Sequence, residues 1–573
     1  MTTLAISTKV TTGRCALANI RQRSLLVAKW RALWLLALFA ALAACAIVRL
    51  GMLGLFEDAP RGMSIADALL PDRGGIVDRN GVLLAGDIDA YALWFNPEAL
   101  EDGPPLVKAP LAVAQGLHRI FPDMDVAETA ARLATGEAGY LRRRILPEEA
   151  NRVHALGEPA LEFPREAERF YPQGSMAAHV LGFVSADGAG RVGMEQVFDE
   201  QLTDRIGRGA PAVLSIDARV QGALEDELGR GMHDSAAKGA AGIILDVDTG
   251  EVLALASLPA FDPNRIDRGA TPNIFNRVTN QVYELGSTFK PITIASAIDA
   301  GTITDLGRRF PSDRALSIGR FNISDSHKLG PSLNVPQTLI HSSNIVTAQI
   351  ADELGGARLK AKMRALGMNE RPYIELPAKG HPLWPGDDWA RITTMTVSFG
   401  HGIAVTPLHL ASAYAALVNG GIWRPATLRK LEPGEAPHGR RVFKASTSAR
   451  LRQMLRMIVV YGTGRNADAP GFRIGGKTGS AEKPGAGEYR RNSLVSTFAA
   501  AFPMDHPRYV IIAMLDEPKG TTATSDQRTA AWNAAPVVAR LVPRIGPLLG
   551  IMPDETRDVD ISDLRPLIPG EAQ

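Results

Sequence analysis

Ser287 and Lys290 stand three residues apart in YELGSTFKPITIASAIDAG, Tyr283 to Gly301. A hydroxyl beside an amine is a nucleophile beside a base, provided that the two share a face and the amine is neutral. Gly286 and Pro291 suit a helix N-terminus at this point. On a helix, positions i and i+3 share a face, and first-turn N–H groups point toward developing negative charge. The apolar ITIASAI that follows buries such a helix and desolvates Lys290, which lowers a lysine pKa. The bland alternative is a capped helix that carries one lysine.

Ser-x-x-Lys occurs three times, so the motif alone does not choose. Ser235 and Lys238 lie in MHDSAAKGAAG, where Ser235 reads as the end of a helix or a linker. Ser480 and Lys483 follow GGKTG next to a strand, and a strand sends i and i+3 to opposite faces. Two further groups complete the chemistry around Ser287. LIHSSNIVTAQ supplies Ser342 and Asn344, although Ser332 and Asn334 in PSLN match the same Ser-x-Asn pattern and both pairs also read as helix caps. GGKTGS supplies Lys477, Thr478, Gly479 and Ser480; Lys-Thr-Gly occurs nowhere else and otherwise reads as a turn between strands.

These residues need elements to hold them. The chain has 573 residues, room for about two to four domains. With 45% hydrophobic and 22% charged residues, it has ordinary globular usage. A net charge of +2 gives no reason to expect nucleic acid as a partner. The two cysteines, Cys15 and Cys45, both precede residue 50, so the remainder has no disulfide framework and no cysteine metal site. Eleven scattered histidines form no H-x-x-x-H or H-E-x-x-H pattern, and neither metal nor cofactor is expected.

Arg14, Arg21, Arg23, Lys29 and Arg31 precede the apolar run Ala32 to Val48. As a helix, that run spans about 25 Å against a bilayer core of roughly 30 Å. Arg49 interrupts and LGMLGLF continues to Phe56, so a span over 32–56 has Arg49 snorkelling to the far headgroups. The basic flank places the N-terminus in the cytoplasm and everything after Glu57 outside. A signal peptide cleaved in LAACA is the rival.

Residues 57–230 read as mixed, loop-rich structure with no catalytic cluster, a platform or spacer. Asn80-Gly81 marks a hairpin; PLVKAPLAVAQGLHRIF and DVAETAARLATG read as amphipathic helices. From 235 to 553 the chain is α+β: two strands joined at Asp248-Thr249-Gly250, the Ser287 helix, a helical and loop-rich middle, then RIGGKTGSAEK, SLVSTFAAAFP and RYVIIAMLDEP as successive antiparallel strands, and a last helix in AAWNAAPVVARLVPRIG. The polar tail 554–573 is expected to have no structure.

Ser-x-x-Lys, Ser-x-Asn and Lys-Thr-Gly in this order are the signature set of penicillin-binding proteins and class A β-lactamases. The chain resembles the class B penicillin-binding proteins also in RGGIVDRNGVLLA (Arg73 to Ala85), YPQGSMAAHVLGFV, GRVGMEQVFDEQL, DTGEVLALASLPAFDPN and VTPLHLASAYAALVNGG. The resemblance covers Arg73 to Pro543. It implies a cytoplasmic tail (1–31), a single transmembrane anchor (32–56), an elongated mixed α/β pedestal (57–230) and a serine β-lactamase-like transpeptidase domain (235–553) with an antiparallel sheet flanked by helices. No glycosyltransferase region is legible, which sets a bifunctional class A protein aside. Asn344 resembles the division-specific, FtsI-type branch, since the elongation branch typically carries Asp there. ELGS in place of Glu-Pro-Gly-Ser, and KTGS in place of Lys-Thr-Gly-Thr, are small departures that keep the chemistry.

What the resemblance implies for each residue is specific. Ser287 attacks the carbonyl of a terminal D-Ala-D-Ala donor, D-Ala leaves, and an amine of a neighbouring stem peptide resolves the acyl-enzyme into a crosslink. Lys290 is the general base, Ser342 relays a proton to the leaving nitrogen, and Asn344 holds Lys290 and the substrate amide. Lys477 adds positive charge near Ser342. Thr478 and Ser480 bind the substrate carboxylate from one face of their strand; Lys477 then starts on the other face and must curl round. Gly479 lets the substrate backbone lie close. The backbone N–H groups of Ser287 and Ser480 form the oxyanion hole. β-Lactams acylate the same serine. Expected partners are a SEDS-family glycan polymerase and other division-complex membrane proteins, with the protein at the inner membrane and its catalytic domain in the periplasm, at the septum. The other readings are an elongation-specific transpeptidase, a β-lactam hydrolase or sensor, and a catalytically dead scaffold. No Glu-x-x-Leu-Asn element is legible for a hydrolase, and ERPYIELPAKG (Glu370 to Gly380) is a poor substitute.

Overall fold

The computed structural model describes residues 29–31, 33–44, 73–99, 103–185, 188–204, 209–266, 273–484 and 489–569. The described residues fall into two units, one up to residue 44 and one from residue 73 on. In the first, residues 29–31 and 33–44 are helical and exposed. No helix among the described residues is long and apolar enough to cross a membrane, and 32 and 45–56 of the expected span lie outside them.

In the second unit, the Asn80-Gly81 turn joins Ile76–Val77 to the long strand Leu83–Phe95, with Val77 opposite Leu83. That strand also pairs with Gly139–Ile145, Leu161–Glu162 and Arg165–Phe170. The helices Pro110–Ile120 and Val126–Ala134 close a small core with it around Phe95, Leu117 and Leu133. The charged letters of RGG and GMEQVFDE are explained by one buried cluster. Glu195, 0% exposed, accepts from Arg73 Nε and Arg169 Nε, each at 2.7 Å. Arg73 also meets Asp199 at 2.6 Å, and Arg169 meets Asp87 at 3.1 Å. A buried charge is tolerable only when paired and hydrogen-bonded in this way. The Asp78 carboxylate accepts from Asn80 N and Val82 N in its own turn and from Ala218 N, 140 residues on, at 3.0 Å. It ties this region to the next.

The C-terminal half begins with helix α1 (Ala218–Asp234), followed by strands β1 (Gly239–Asp246) and β2 (Val252–Leu258). Asp246 Oδ1 receives Asp248 N and Thr249 N to close the expected turn. Helix α2 (Lys290–Asp299) follows the 3-10 turn Gly286–Phe289. Then come α3 (Val335–Ile340), α4 (Asn344–Leu354), α5 (Pro407–Val418) and α6 (Ala445–Tyr461). Strands β3 (Gly475–Pro484), β4 (Tyr489–Phe502) and β5 (Tyr509–Asp516) and helix α7 (Ala534–Ile545) complete the domain. The sheet order is β2-β1-β5-β4-β3, antiparallel throughout. Helices cover both faces, so β1 and β5 read as continuous apolar runs rather than as alternation. One face carries α2 and α5 in the large core; the other carries α1 and α7 in a second core with Ile244, Phe498 and Ile511.

Two expectations are corrected. Helix α1 was assigned mostly to the pedestal, with the catalytic domain starting at 235. Its apolar stripe Val220, Leu224 and Leu228 packs into the second sheet core, so the helix belongs with the sheet. The tail was expected to lack structure. Leu564 and Ile568 are 2% and 0% exposed and belong to the large core, with Val559 and Ile561 packed against it. Asp558 pairs with Arg456 of α6 at 2.8 Å, and Asn334 Nδ2 donates to Leu567 O at 2.7 Å. The sparse apolar residues were hidden among aspartates and prolines.

Candidate active site

The sequence at Ser287 dictates a 3-10 turn before the α-helix. Pro291 has no N–H to direct at Ser287 O, as an α-helix requires. Lys290 N serves that carbonyl instead. In a 3-10 turn i and i+3 eclipse, so Ser287 and Lys290 project to one side, as expected, although from a tighter turn than an α-helix. Neighbours fix the turn from three directions. Tyr414 of α5, fully buried, donates to Thr288 O at 2.9 Å. Thr293 Oγ1 donates to Ser398 O at 2.8 Å. Gly286 N donates to Gly400 O at 3.3 Å; here the backbones touch, since a Cβ on Gly400 would lie 2.2 Å from Gly286 O.

Lys290 is 0% exposed. Its Nζ donates to the hydroxyl of Ser342 at 3.0 Å and to the Ser342 carbonyl. Burial first, and then the charge of Lys477, hold its ammonium well below the usual lysine range, while the Asp325 carboxylate pulls the other way. Ser342 is the middle residue of the α3–α4 connection and has φ +62°, a left-handed conformation that costs a non-glycine residue of order 1–3 kcal/mol. That turn aims both its carbonyl and its hydroxyl at Lys290. Ser343 caps α4, accepting Val346 N at 3.1 Å.

Asn344 departs from its expected role. Its amide Nδ2 donates to Ser324 O at 3.1 Å, and Ser342, not Asn344, holds Lys290. The amide keeps a second N–H and its carbonyl for a substrate.

Lys477, Thr478, Gly479 and Ser480 lie on β3, the edge of the sheet. Residues directly opposite in an antiparallel pair share a face. Lys477 opposes Ala499 of the large core, whereas Thr478 opposes Phe498 of the second core and Ser480 opposes Ser496. Thus Thr478 and Ser480 share a face, as expected, and Lys477 and Gly479 look toward the nucleophile turn. Lys477 is fully buried, its Nζ curled onto its neighbour's carbonyl (3.0 Å) and onto Thr478 Oγ1 (3.2 Å). Burial brings it down to about 7. Thr478 Oγ1 is 2.8 Å from Thr463 Oγ1, and Ser480 Oγ accepts Ala530 N at 3.0 Å. Because a hydroxyl has two acceptor sites and one proton, Ser480 still has an O–H to give a carboxylate at the open edge. A Cβ on Gly286 (φ +54°) would lie 3.1 Å from Ser480 O, so the backbones of the nucleophile turn and Ser480 are neighbours.

Gly479 is explained differently from expectation. A Cβ there would sit 2.5 Å from Leu285 O and 2.7 Å from Thr288 Cγ2. The glycine makes room for the nucleophile turn, not first for substrate. Gly479→Ala is expected to push that turn off β3 and slow acylation by about 100-fold in a stopped-flow β-lactam assay, with the fold kept. A wild-type acylation rate for this variant contradicts the packing argument.

The competing motifs take their bland readings. Ser235 is buried at the C-terminus of α1, donating to Gly231 O at 2.6 Å, and Lys238 pairs with Glu517. Lys483 pairs with Asp516 and Glu517. Asn334 caps α3. Among the described residues no cluster of His, Cys, Asp or Glu is placed to hold a metal ion.

Sequence reasoning missed Tyr414 and Asp325. Tyr414 had a signal, as the one aromatic hydroxyl in the largely apolar helix PLHLASAYAALV. Asp325, in ISDSHK, had none: Asp-Ser in a loop is an ordinary turn.

Comparison with known proteins covers most of the chain. Residues 240–539 match the family described as "Penicillin binding protein transpeptidase domain", and residues 68–215 match "Penicillin-binding Protein dimerisation domain". The chain is 39% identical over 511 residues to the "Probable peptidoglycan D,D-transpeptidase FtsI" of Caulobacter vibrioides, covering 87% of this chain and 85% of that one. It is 29% identical to the peptidoglycan D,D-transpeptidase FtsI of Escherichia coli K12, covering 78% and 79%. Among solved structures, penicillin binding protein 3 of Mycobacterium tuberculosis complexed with aztreonam superposes with a TM-score of 0.65 at 25% identity, over 85% of this chain and 98% of that one.

Proposed function

The chain belongs to the class B penicillin-binding proteins, serine-type peptidoglycan D,D-transpeptidases, and from that premise we propose that it crosslinks stem peptides in septal wall synthesis from a single membrane anchor. The observation that carries the catalytic reading is the fully buried Lys290, hydrogen-bonded to Ser342 and lowered well below the usual lysine range by burial and by Lys477. Neutral Lys290 takes the Ser287 proton as Oγ adds to the carbonyl of the penultimate D-Ala. The oxyanion forms at the junction of the nucleophile turn and Ser480, where backbone N–H donors are each worth about 100- to 1,000-fold in rate. The proton then passes from Lys290 through the Ser342 hydroxyl to the departing D-Ala nitrogen. An acceptor amine of a second stem peptide next attacks the ester and loses its proton along the same path in reverse, which regenerates Ser287. Asn344 orients the donor amide, and Thr478 and Ser480 bind its terminal carboxylate. β-Lactams enter as donor mimics; the related M. tuberculosis protein was solved with aztreonam.

The basic N-terminal flank and the apolar run to Phe56 support the anchor, with the catalytic domain in the periplasm and a SEDS-family glycan polymerase and other division-complex proteins as membrane neighbours. Asn344 and the 39% identity to an FtsI support the septal role. Depleting the protein in its host tests that role. Filamentous cells are expected, whereas rounded cells assign it to elongation.

A further inference from the structure

We propose that Asp325, in the loop after the hairpin Leu316–Ile318/Phe321–Ile323, is a positioning residue for the acylation step: its carboxylate holds the Ser342–Asn344 turn in place and supplies the negative charge that faces Lys290. The proposal rests on the reading of Ser287, Lys290 and Ser342 as the reacting set.

The contacts are those of a tether with two ends. Oδ1 accepts the backbone N–H of Asn344 and, at 3.2 Å, that of Ile345. Oδ2 accepts the Ser343 hydroxyl at 2.7 Å. Three successive residues, 343 to 345, are thus gripped by one carboxylate at the start of α4. The residue just before them is Ser342, whose left-handed backbone holds Lys290. A non-glycine residue persists in that conformation only when its surroundings over-determine it. Asn344 Nδ2 adds a second bond to the same loop, at Ser324 O. The hairpin itself is seated by Ile323, which packs with Ala348 of α4 and with Met395 and Phe399.

The second end is electrostatic. The charged and titratable groups facing Lys290 are Lys477 on β3, Asp325 on this loop and His401 on the loop before α5. Burial first, then the charge of Lys290, brings His401 down to about 4, so it is neutral through the working range. Burial and Lys477 lower Lys290, and Asp325 alone of the three raises it. A base must lie near the working pH to be both neutral and strong. Without Asp325, Lys290 is a weaker base held by a looser turn.

The signs follow. Acylation needs neutral Lys290, so its rate falls as pH drops through the Lys290 pKa. Asp325→Asn keeps an oxygen for Asn344 N and Ile345 N but removes the charge. Lys290 then loses its proton at lower pH, and the acid limb of the rate profile moves to lower pH. Asp325→Ala removes the tether as well, and acylation at neutral pH is expected to fall by about 10- to 100-fold, the scale of a displaced reacting group.

The experiment uses the full chain in membranes and a fluorescent penicillin, reading the labelling rate and the final labelled amount separately at each pH. The final amount counts folded sites; a purely structural role for Asp325 lowers that amount and leaves the limb where it was. An acid limb moved to lower pH in Asp325→Asn, with slow but complete labelling in Asp325→Ala, supports the proposal. An unmoved limb in Asp325→Asn overturns it, even where Asp325→Ala fails to fold. Label retained by Ser287→Ala overturns the reading beneath it instead.

Discussion

Ser287→Ala takes no penicillin label and forms no crosslinks, with a loss of roughly 10⁶-fold, the scale on which serine hydrolases lose their nucleophile, and its fold is intact. The reason lies in how the serine is placed. Its turn is fixed by groups that do not involve the Ser287 side chain: Tyr414 on Thr288 O, Gly400 on Gly286 and Lys290 N on Ser287 O. Serine and alanine differ by one hydroxyl on a half-buried residue, so the change leaves no cavity and strands no buried partner. The thermal midpoint should stay within a few degrees of wild type. The other Ser-x-x-Lys serines do not take over. Ser235 is fully buried with its hydroxyl on Gly231 O, and Ser480 lies on the opposite face of β3 from Gly479 and the nucleophile turn. A label that persists in Ser287→Ala and maps to either of them would overturn the assignment.

The parts of this site that were legible in the sequence are those whose geometry is local. Placing Ser287 and Lys290 on one side of a turn needs only helical spacing, and the shared face of Thr478 and Ser480 needs only a strand. The three C-terminal strands and the Asp248-Thr249-Gly250 hairpin were legible because their apolar runs and turn residues are contiguous. Features that depend on distant segments were not. Asn344 was expected to hold Lys290, and only the left-handed backbone of Ser342 shows why its neighbour does so instead. Gly479 was expected to admit substrate, and only the approach of Leu285 and Thr288 shows what fills the space. The tail after 553 read as unstructured because its five large apolar residues, Val559, Ile561, Leu564, Leu567 and Ile568, acquire meaning only against α6 and the large core. Asp325 could not be found at all, since its partners lie 18 to 20 residues away in sequence.

Lys290→Arg should be nearly as damaging as Lys290→Ala, and the comparison separates two roles that a lysine can play. If the amine only supplies positive charge to a transition state, arginine keeps that charge and most of the rate. If it is the base, arginine fails, because a guanidinium is not deprotonated in a protein at any working pH. The surroundings favour the second. Burial and a second buried lysine both disfavour an ammonium at Lys290, and they outweigh the one carboxylate that favours it, Asp325, which also accepts from Ser343, Asn344 and Ile345. The amine must accept a proton from Ser287 and pass it on, and Ser342 Oγ, which accepts from its Nζ at 3.0 Å, is placed to take it. Loss of a general base costs about 100- to 10,000-fold, and arginine adds the cost of a permanent charge in a site built for a neutral group. The pH profile sharpens the test. In the wild-type chain acylation is supported above the lowered Lys290 pKa and lost below it, so the rate has an acid limb; in Lys290→Arg that limb is absent because no proton leaves residue 290. An arginine variant that acylates near the wild-type rate, with the acid limb unchanged, would show that Lys290 acts as a charge and that the base is another group.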